Sequence, residues 1–477
     1  RCPKVVFFGR EFNLPRAVPQ EEPPGLRGQG IMNRIAVYTI SLGCPKNTVD
    51  TETMLGSLGS MFTPAPSADQ ADVVLINTCS FIRPAVEESV QVILETALEL
   101  ADRNPRPVLA VTGCLPSRYG SELETELPEV DLWISLEDQH RWTEILSGHF
   151  QARQLSPFPG SGLGRPGGRG RVLSTGPGLA YLKISEGCNH TCSFCIIPRL
   201  RGPLRSRPLP DLLAEARNLI GQGVKELCLV AQDVGAYGQD TGPGPHLQHL
   251  VRAVSELKGL HWLRLMYLYP PGASRSLLSF LSDLGPPFVP YFDIPLQHAH
   301  PDILRKMGRP FAGDPWKAVT RIREAFPAAS LRTSLIVGFP GETEHHFQTL
   351  LEFVREVGFD HLGVFTFSPE QEARATREAG QIEDEIKQER QERLLALQKE
   401  ISRGKLAAYE GQELEVLVER SDPHWPTLYQ GRTWFQAPEV DGMTYVSGQG
   451  IRPGDLVRAR VEAVSEYDLS GLCLDEP

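Results

Sequence analysis

Between residues 35 and 130, short apolar runs alternate with stretches whose apolar residues recur every three to four positions. The runs 35–42, 73–77 and 108–112 have strand length, and each ends at a loop that carries a cysteine. Helical periods follow at 49–58, 85–100 and 117–127. This alternation predicts a parallel sheet covered by helices, whose loops after successive strands gather at one carboxyl edge, the edge where ligands bind.

A second series begins near residue 180, with strand-like runs at 180–185, 226–231, 262–267, 291–296, 331–337 and 361–367. Helical segments lie between them, among them 211–220, 247–257, 316–326 and 344–357. Six βα units are too few for a closed eight-fold barrel and predict a partial one, open on one side, with its chemistry at the carboxyl ends of the strands. Residues 381–405 are charged, with Ile382, Ile386, Leu394, Leu397 and Ile401 on a helical period, and that stripe is expected to pack against the barrel. Short alternating runs at 413–419, 444–446 and 455–464, split by Gly and Pro, predict a small β-barrel.

The expected fold class is therefore α/β: an N-terminal parallel-sheet domain (33–150), a Gly-, Pro- and Arg-rich linker (151–173), a partial (β/α)6 barrel (174–404) and a small C-terminal β-barrel (405–477). Arg165, Arg169 and Arg171 are read as solubilising residues of the tether. Residues 1–32, rich in Pro, Gly and charge, are expected to be a disordered extension from upstream translation, with Met32 as the true start.

Composition narrows the class of protein. At 477 residues, 41% hydrophobic and 22% charged, the chain is an ordinary globular protein of two or three domains, and no apolar run approaches the roughly 20 residues that span a bilayer. Nine cysteines are too few for a disulfide scaffold, and neither a long apolar leader nor a small-residue cleavage site is present, so the expected location is the cytoplasm. A net charge of -11 disfavours a general nucleic-acid coat, which needs Lys and Arg for phosphate. The acidity is concentrated at the end: from residue 406 there are five arginines and no lysine against thirteen acidic residues.

The cysteines carry the chemistry. Cys188, Cys192 and Cys195 are spaced Cys-x3-Cys-x2-Cys directly after the first run of the second series. An iron–sulfur cube offers one iron to each protein ligand, so three cysteines leave one iron open, as a catalytic rather than a structural site does. A three-cysteine zinc loop completed by His190 is the competing assignment. Cys44, Cys79 and Cys114 recur at intervals of 35 residues, each just past a predicted strand end, so they are expected to converge into a second such site.

The spacing around Cys188, with Phe194 before the last cysteine and Ile196-Ile197-Pro198 after it, resembles the radical S-adenosylmethionine (SAM) enzymes. Two triads followed by a small β-barrel resemble, over roughly residues 35–474, the radical-SAM methylthiotransferases. Ser41-Leu42-Gly43-Cys44-Pro45-Lys46-Asn47, Arg201-Gly202-Pro203-Leu204-Arg205-Ser206-Arg207, Asp293-Ile294-Pro295-Leu296-Gln297-His298 and the stretch from Thr333 to Glu342 look like the branch acting on ribosomal protein uS12. The sequence departs from that pattern at Val234-Gly235-Ala236, at residues 370–374 and before residue 180, which puts local loop shape in question and leaves the cysteines untouched.

The resemblance implies two [4Fe-4S] clusters, an auxiliary one on Cys44, Cys79 and Cys114 and a SAM-binding one on Cys188, Cys192 and Cys195. It also implies a C-terminal TRAM module that binds substrate. The product implied is a methylthio group on the β-carbon of an aspartate, SAM serving as methyl donor and as radical source. A low-potential electron donor such as flavodoxin or ferredoxin and a sulfur donor are the further partners, with no membrane involved. Gln232, Asp233, Arg205, Gly338, Gly341 and Glu342 are the expected cofactor contacts, and Gln297, His298 and Arg207 are possible participants at the same mouth. Methylthiolation of an isopentenylated adenosine in tRNA is the nearest rival, and it calls for a basic final module. From other classes stand a non-catalytic iron–sulfur electron carrier and a zinc-dependent RNA-binding protein.

Overall fold

The computed structural model describes residues 34–152, 170–244 and 246–475, together with the paired backbone of Lys4–Phe7 and Arg10–Asn13. Apart from that short antiparallel hairpin, the expected N-terminal extension lies outside the described residues, as do Arg165 and Arg169. The chain divides into two compact units, residues 1–174 with Arg199–Arg201, and the remainder.

The first unit holds a five-stranded, all-parallel sheet in the order Phe62–Pro64, Ile35–Ser41, Val73–Thr78, Val108–Gly113, Leu132–Ile134. Alternate residues of one strand enter different cores. Val73, Leu75, Val108 and Ala110 pack with Leu55, Trp142 and Phe150 on one face. Val74, Ile76, Leu109 and Val111 pack with Ile93, Ala97 and Leu100 on the other. A strand buried on both faces has no position left for a polar residue, and this is the source of the unbroken apolar runs. The helix expected at 117–127 is two, Cys114–Tyr119 and Ser121–Glu126, broken at Gly120 with φ 54°. The linker also ends earlier than expected: Arg171 is buried in an ion pair of 2.8 Å with Glu52, whose other oxygen accepts from the Ser174 N–H at 2.6 Å. Arg171 is thus part of a core and not of a solvated tether.

The second unit contains six parallel strands in chain order, Leu179–Lys183, Glu226–Val230, Trp262–Leu265, Phe288–Asp293, Ser330–Val337 and His361–Thr366. The sheet is open between the first and the last. The fourth strand lies three residues ahead of its expected position, because the chain leaves the ladder before Pro295 and turns at Gln297, φ 73°. A helix not anticipated, Arg275–Leu284, starts at Ser274, whose hydroxyl accepts from the Leu277 N–H at 3.2 Å.

The long helix Asp384–Ala407 lies along the last strand, as expected, with a seam that shares only Leu394 with the expected stripe. Ile386 is exposed, and the buried positions are Lys387, Arg390, Leu394, Gln398, Ser402 and Leu406. An edge strand presents unpaired carbonyls, which apolar side chains cannot satisfy. Here Gln391 donates to the Val364 carbonyl at 2.7 Å, Gln398 to Phe359 at 2.8 Å and Ser402 to Asp360 at 2.9 Å.

The C-terminal strands close a five-stranded barrel in the order Glu413–Ser421, Leu428–Arg432, Thr444–Ser447, Leu469–Cys473, Leu456–Val464. It joins the (β/α)6 part through buried charge. Glu226 accepts from Arg264 at 2.6 Å and from Arg432 at 2.8 Å, all three side chains at or near zero exposure.

Candidate functional site

Backbone geometry at strand ends positions the first triad. Cys44 caps the helix Pro45–Ser57, Cys79 follows Thr78, and Cys114 opens the helix Cys114–Tyr119. Gly113 precedes Cys114 with φ 101°, and a side chain there would meet Asn77 Oδ1 at 2.3 Å and the Thr78 carbonyl at 2.5 Å, so only glycine lets neighbouring strand ends come this close. Cys79 is fixed by Ser89, which accepts from its N–H at 3.2 Å and donates to its carbonyl at 2.8 Å. Burial pushes the Cys79 thiol up to about 12, and the neighbouring Cys114 and Cys44 add to the rise. Burial also raises Cys114, against the pull of Arg201.

The second triad occupies the loop after the first strand of the partial barrel. Ser185–Glu186 pairs with Arg205–Ser206, and the chain turns into the cysteines at Gly187, φ 76°, where a Cβ would sit 2.1 Å from the Pro203 carbonyl. The loop is held by the Ser193 N–H to Met307 O at 3.0 Å, Ser193 Oγ to Lys306 O at 2.8 Å and Arg374 to Thr191 O at 2.6 Å. Burial raises Cys188, and takes Cys195 to about 12. Beside them a recess of about 290 Å³ is lined by Cys188, His190, Asp233 and Gln239 among others.

Several expected contacts stand at this mouth with their roles already fixed by protein. Asp233 accepts from His190 Nε2 at 2.8 Å and from the N–H groups of Gly235 and Tyr269, at 2.9 and 3.2 Å. His190 in turn stacks on Tyr269 at 3.9 Å. Gln232 donates to Glu186 at 2.9 Å, while its buried Oε1 has no protein partner. Arg205 is exposed. Arg207 is tied down by Lys183 O at 2.8 Å and Glu215 at 2.6 Å, which leaves it a structural clamp.

Glu342 is buried and accepts from the Gly338 N–H at 3.0 Å and from Arg390 at 2.8 Å, so it closes its own turn. Gly338 and Gly341, φ 72° and 79°, bring that turn against Lys387 and Lys306. Gln297 bridges to the fifth strand by backbone alone. His298 is fully buried, accepts from the His300 N–H at 2.9 Å and lies 3.6 Å from Glu342.

Among the described residues, the group whose ligand atoms all lie within 4.8 Å of one another is His300, Asp302 and His346, with no cysteine in it. That group is itself unsuited to a metal, because Nδ1 of both histidines accepts a backbone N–H, from Asp302 at 3.2 Å and Thr343 at 3.1 Å. Each ring therefore carries its proton at Nε2 and has no lone pair left to give.

Sequence reasoning passed over two arginines. Arg201 donates to Asn47 Oδ1 at 2.5 Å, to Asp50 at 3.3 Å and to Cys114 Sγ at 3.7 Å. Arg309 donates to Cys192 Sγ at 3.6 Å and to Pro295 O at 3.1 Å, with its guanidinium over the Tyr269 ring at 4.8 Å. Arg201 stood inside a quoted motif, whereas nothing local marks Arg309.

Comparison with known proteins agrees with this geometry. Residues 182–354 match the radical SAM superfamily, residues 36–135 the uncharacterized protein family UPF0004 and residues 411–474 the TRAM domain. The ribosomal protein uS12 methylthiotransferase RimO of Nitratidesulfovibrio vulgaris is 54% identical over 92% of this chain and 100% of its own length. The protein of that name from Oleidesulfovibrio alaskensis is 52% identical, over 92% of this chain and 100% of its own. In Lawsonia intracellularis the figure is 46%, over 91% and 97%. Among solved structures, the radical SAM methyltransferase TsrM of Kitasatospora setae, with cobalamin and a [4Fe-4S] cluster bound, shares the fold at a TM-score of 0.50 and 14% identity, over 70% of this chain and 75% of its own. With two thiol triads, an open parallel barrel and a closed C-terminal barrel in this order, the chain belongs to the radical-SAM methylthiotransferase family of the uS12 methylthiotransferases.

Proposed function

We propose that this protein attaches a methylthio group to the β-carbon of an aspartate in ribosomal protein uS12, with Cys188, Cys192 and Cys195 holding the SAM-binding [4Fe-4S] cluster and Cys44, Cys79 and Cys114 the auxiliary one. The observation that carries the reading is the pair of thiol triads at strand ends, each of three free sulfurs that are buried or half-buried. Bound there, an iron–sulfur cube and SAM supply the one-electron chemistry that an unactivated C–H bond requires and that acid–base side chains do not deliver at neutral pH.

The chain's own groups bind and orient. Gln232 Oε1, a buried acceptor whose direction is set by the bond from its own amide to Glu186, suits the ammonium of SAM. Arg205 suits a carboxylate, and the backbone of 338–341 suits the adenine face, with Glu342 acting through the shape of the turn. Asp233 and His190 line the recess, held by their mutual bond and by the stack of His190 on Tyr269.

Thirteen acidic residues against five arginines from residue 406 onward repel nucleic acid and attract a basic ribosomal protein, which favours uS12 over tRNA. A low-potential donor of the flavodoxin or ferredoxin type and a sulfur donor would complete the system, and the need to keep cluster ligands reduced favours the cytoplasm. The test is incubation of the reconstituted protein with SAM, dithionite and sulfide, with purified uS12 or tRNA as acceptor, read by mass spectrometry. Replacement of hydrogen by a methylthio group on a uS12 aspartate is the expected result. Modification of tRNA alone would overturn the assignment.

A further inference from the structure

Each triad has one buried arginine turned onto one of its sulfurs. Arg201 reaches Cys114 Sγ at 3.7 Å, and Arg309 reaches Cys192 Sγ at 3.6 Å. Neither is a surface charge that happens to lie nearby: the two residues are 8% and 6% exposed. Arg201 is oriented by Asn47 and Asp50, and Asn47 is itself locked by donating to Leu42 O at 2.9 Å and Thr78 O at 3.0 Å, in the loops that carry Cys44 and Cys79. Arg309 is oriented by Pro295 O and by the faces of Tyr269, Phe194 and Phe311, at 4.8, 5.5 and 5.8 Å, and its Nε is buried with no protein partner. A buried guanidinium that donates to a ligand sulfur and keeps one donor idle is best used once the neighbouring site is anionic.

A cube held by three thiolates is anionic, and reduction adds one more negative charge. A fixed cation that donates N–H to a ligand sulfur therefore stabilises the reduced state more than the oxidised one. The reach is short, because the interaction is strong at contact in a low-dielectric interior and weak across solvent.

We propose that Arg201 and Arg309 are positioning residues that separately set the reduction potentials of the two clusters, Arg201 that of the cluster on Cys44, Cys79 and Cys114, and Arg309 that of the cluster on Cys188, Cys192 and Cys195. This rests on the ligand assignment proposed above.

The experiment is redox titration of the reconstituted full chain under anaerobic conditions, followed by electron paramagnetic resonance. Parallel samples with either triad changed to alanine assign each signal. Arg201→Gln and Arg309→Gln remove the charge, while Arg201→Lys and Arg309→Lys keep it and lose the fork. In each glutamine variant the midpoint of the matching cluster falls by at least tenfold in its reduction equilibrium, about 59 mV for one electron, and the other cluster keeps its midpoint. Each lysine variant recovers part of the shift. Iron content and far-ultraviolet circular dichroism identify variants that lose the cluster or the fold, and for those the lysine variant supplies the measurement. Midpoints equal to the wild type in cluster-loaded variants would overturn the proposal while leaving the ligand assignment standing. Alanine triads that still bind both clusters would overturn the assignment and the proposal together.

Discussion

Replacing Glu226 with glutamine removes the anion that Arg264 and Arg432 share at the join between the (β/α)6 part and the C-terminal barrel. All three side chains are at or near zero exposure, so neither guanidinium can recover its charge partner from water. Taking one partner from a buried ion pair costs about 3–5 kcal/mol. Arg432 retains Glu419 at 2.6 Å and the Gln436 carbonyl at 2.8 Å, whereas Arg264 retains the Trp434 carbonyl at 2.8 Å and no second carboxylate among its hydrogen bonds. The Arg264 side therefore dominates, and the expected loss is about 3 kcal/mol, the low end of that range.

Because a chain of several domains need not unfold in one step, the loss is best read locally by amide hydrogen exchange. The amides of Leu428–Arg432 and Glu226–Val230 should exchange about a hundredfold faster, while those of Val73–Thr78 keep their rates. The same carboxylate predicts a pH effect. Burial acts to raise Glu226, and the two arginines outweigh it, holding it below the ordinary 4.5. A depressed acid stabilises the fold above its unfolded value and loses that contribution as pH falls through the folded value. Protection of the same amides should therefore hold down to about pH 4.5 and fail below it, a dependence absent in Glu226→Gln. Protection that changes less than threefold in the variant would refute the idea that this buried network holds the two barrels together.

Cys114→Ser should reduce bound iron to that of one cluster and leave SAM cleavage under dithionite in place while methylthio transfer is lost; iron analysis and product chromatography check this. Gly187→Ala puts a Cβ 2.1 Å from the Pro203 carbonyl at φ 76°, which should cost about 1–3 kcal/mol and loosen the Cys188 loop, seen as lowered thermal stability and poorer cluster loading. Burial lowers His300 and His346 from 6.5, so their cap bonds are intact above about pH 6.5 and lost as pH falls through the folded values. The start of the helix Glu344–Val357 should fray on acidification by about 1 kcal/mol, and His346→Asn should remove most of the pH dependence in exchange measurements.

The cysteine register was legible because it depends on local order: a strand of fixed length, a turn, then the residue. In the first unit, strands buried on both faces wrote themselves as apolar runs; Gly113-Cys114 there and Gly187-Cys188 in the second unit mark the turns. The edge strands Phe62–Pro64 and Leu132–Ile134, of three residues each, are too short to show a period. Leu428–Arg432 was missed because its buried positions are Tyr429, Gly431 and Arg432, which do not read as an apolar face. Arg309, Arg264 and Arg432 escaped for another reason. Their partners lie far along the chain, at Cys192, Trp434 and Glu226, and an arginine in sequence looks the same whether it faces water or a buried acceptor.

The seam between the helix Asp384–Ala407 and the last parallel strand has directional teeth. A greasy seam would let a helix slip by a turn at small cost, exchanging one leucine contact for another. Amides from Gln391 and Gln398 find their carbonyls at a single setting, so the rod is indexed against the sheet. Arg390 on the same rod grips Glu342, and the turn at Gly338 is thereby indexed with it. Leucine at position 398, which a simple inside–outside pattern would recommend, would free the rod to drift and carry that turn along.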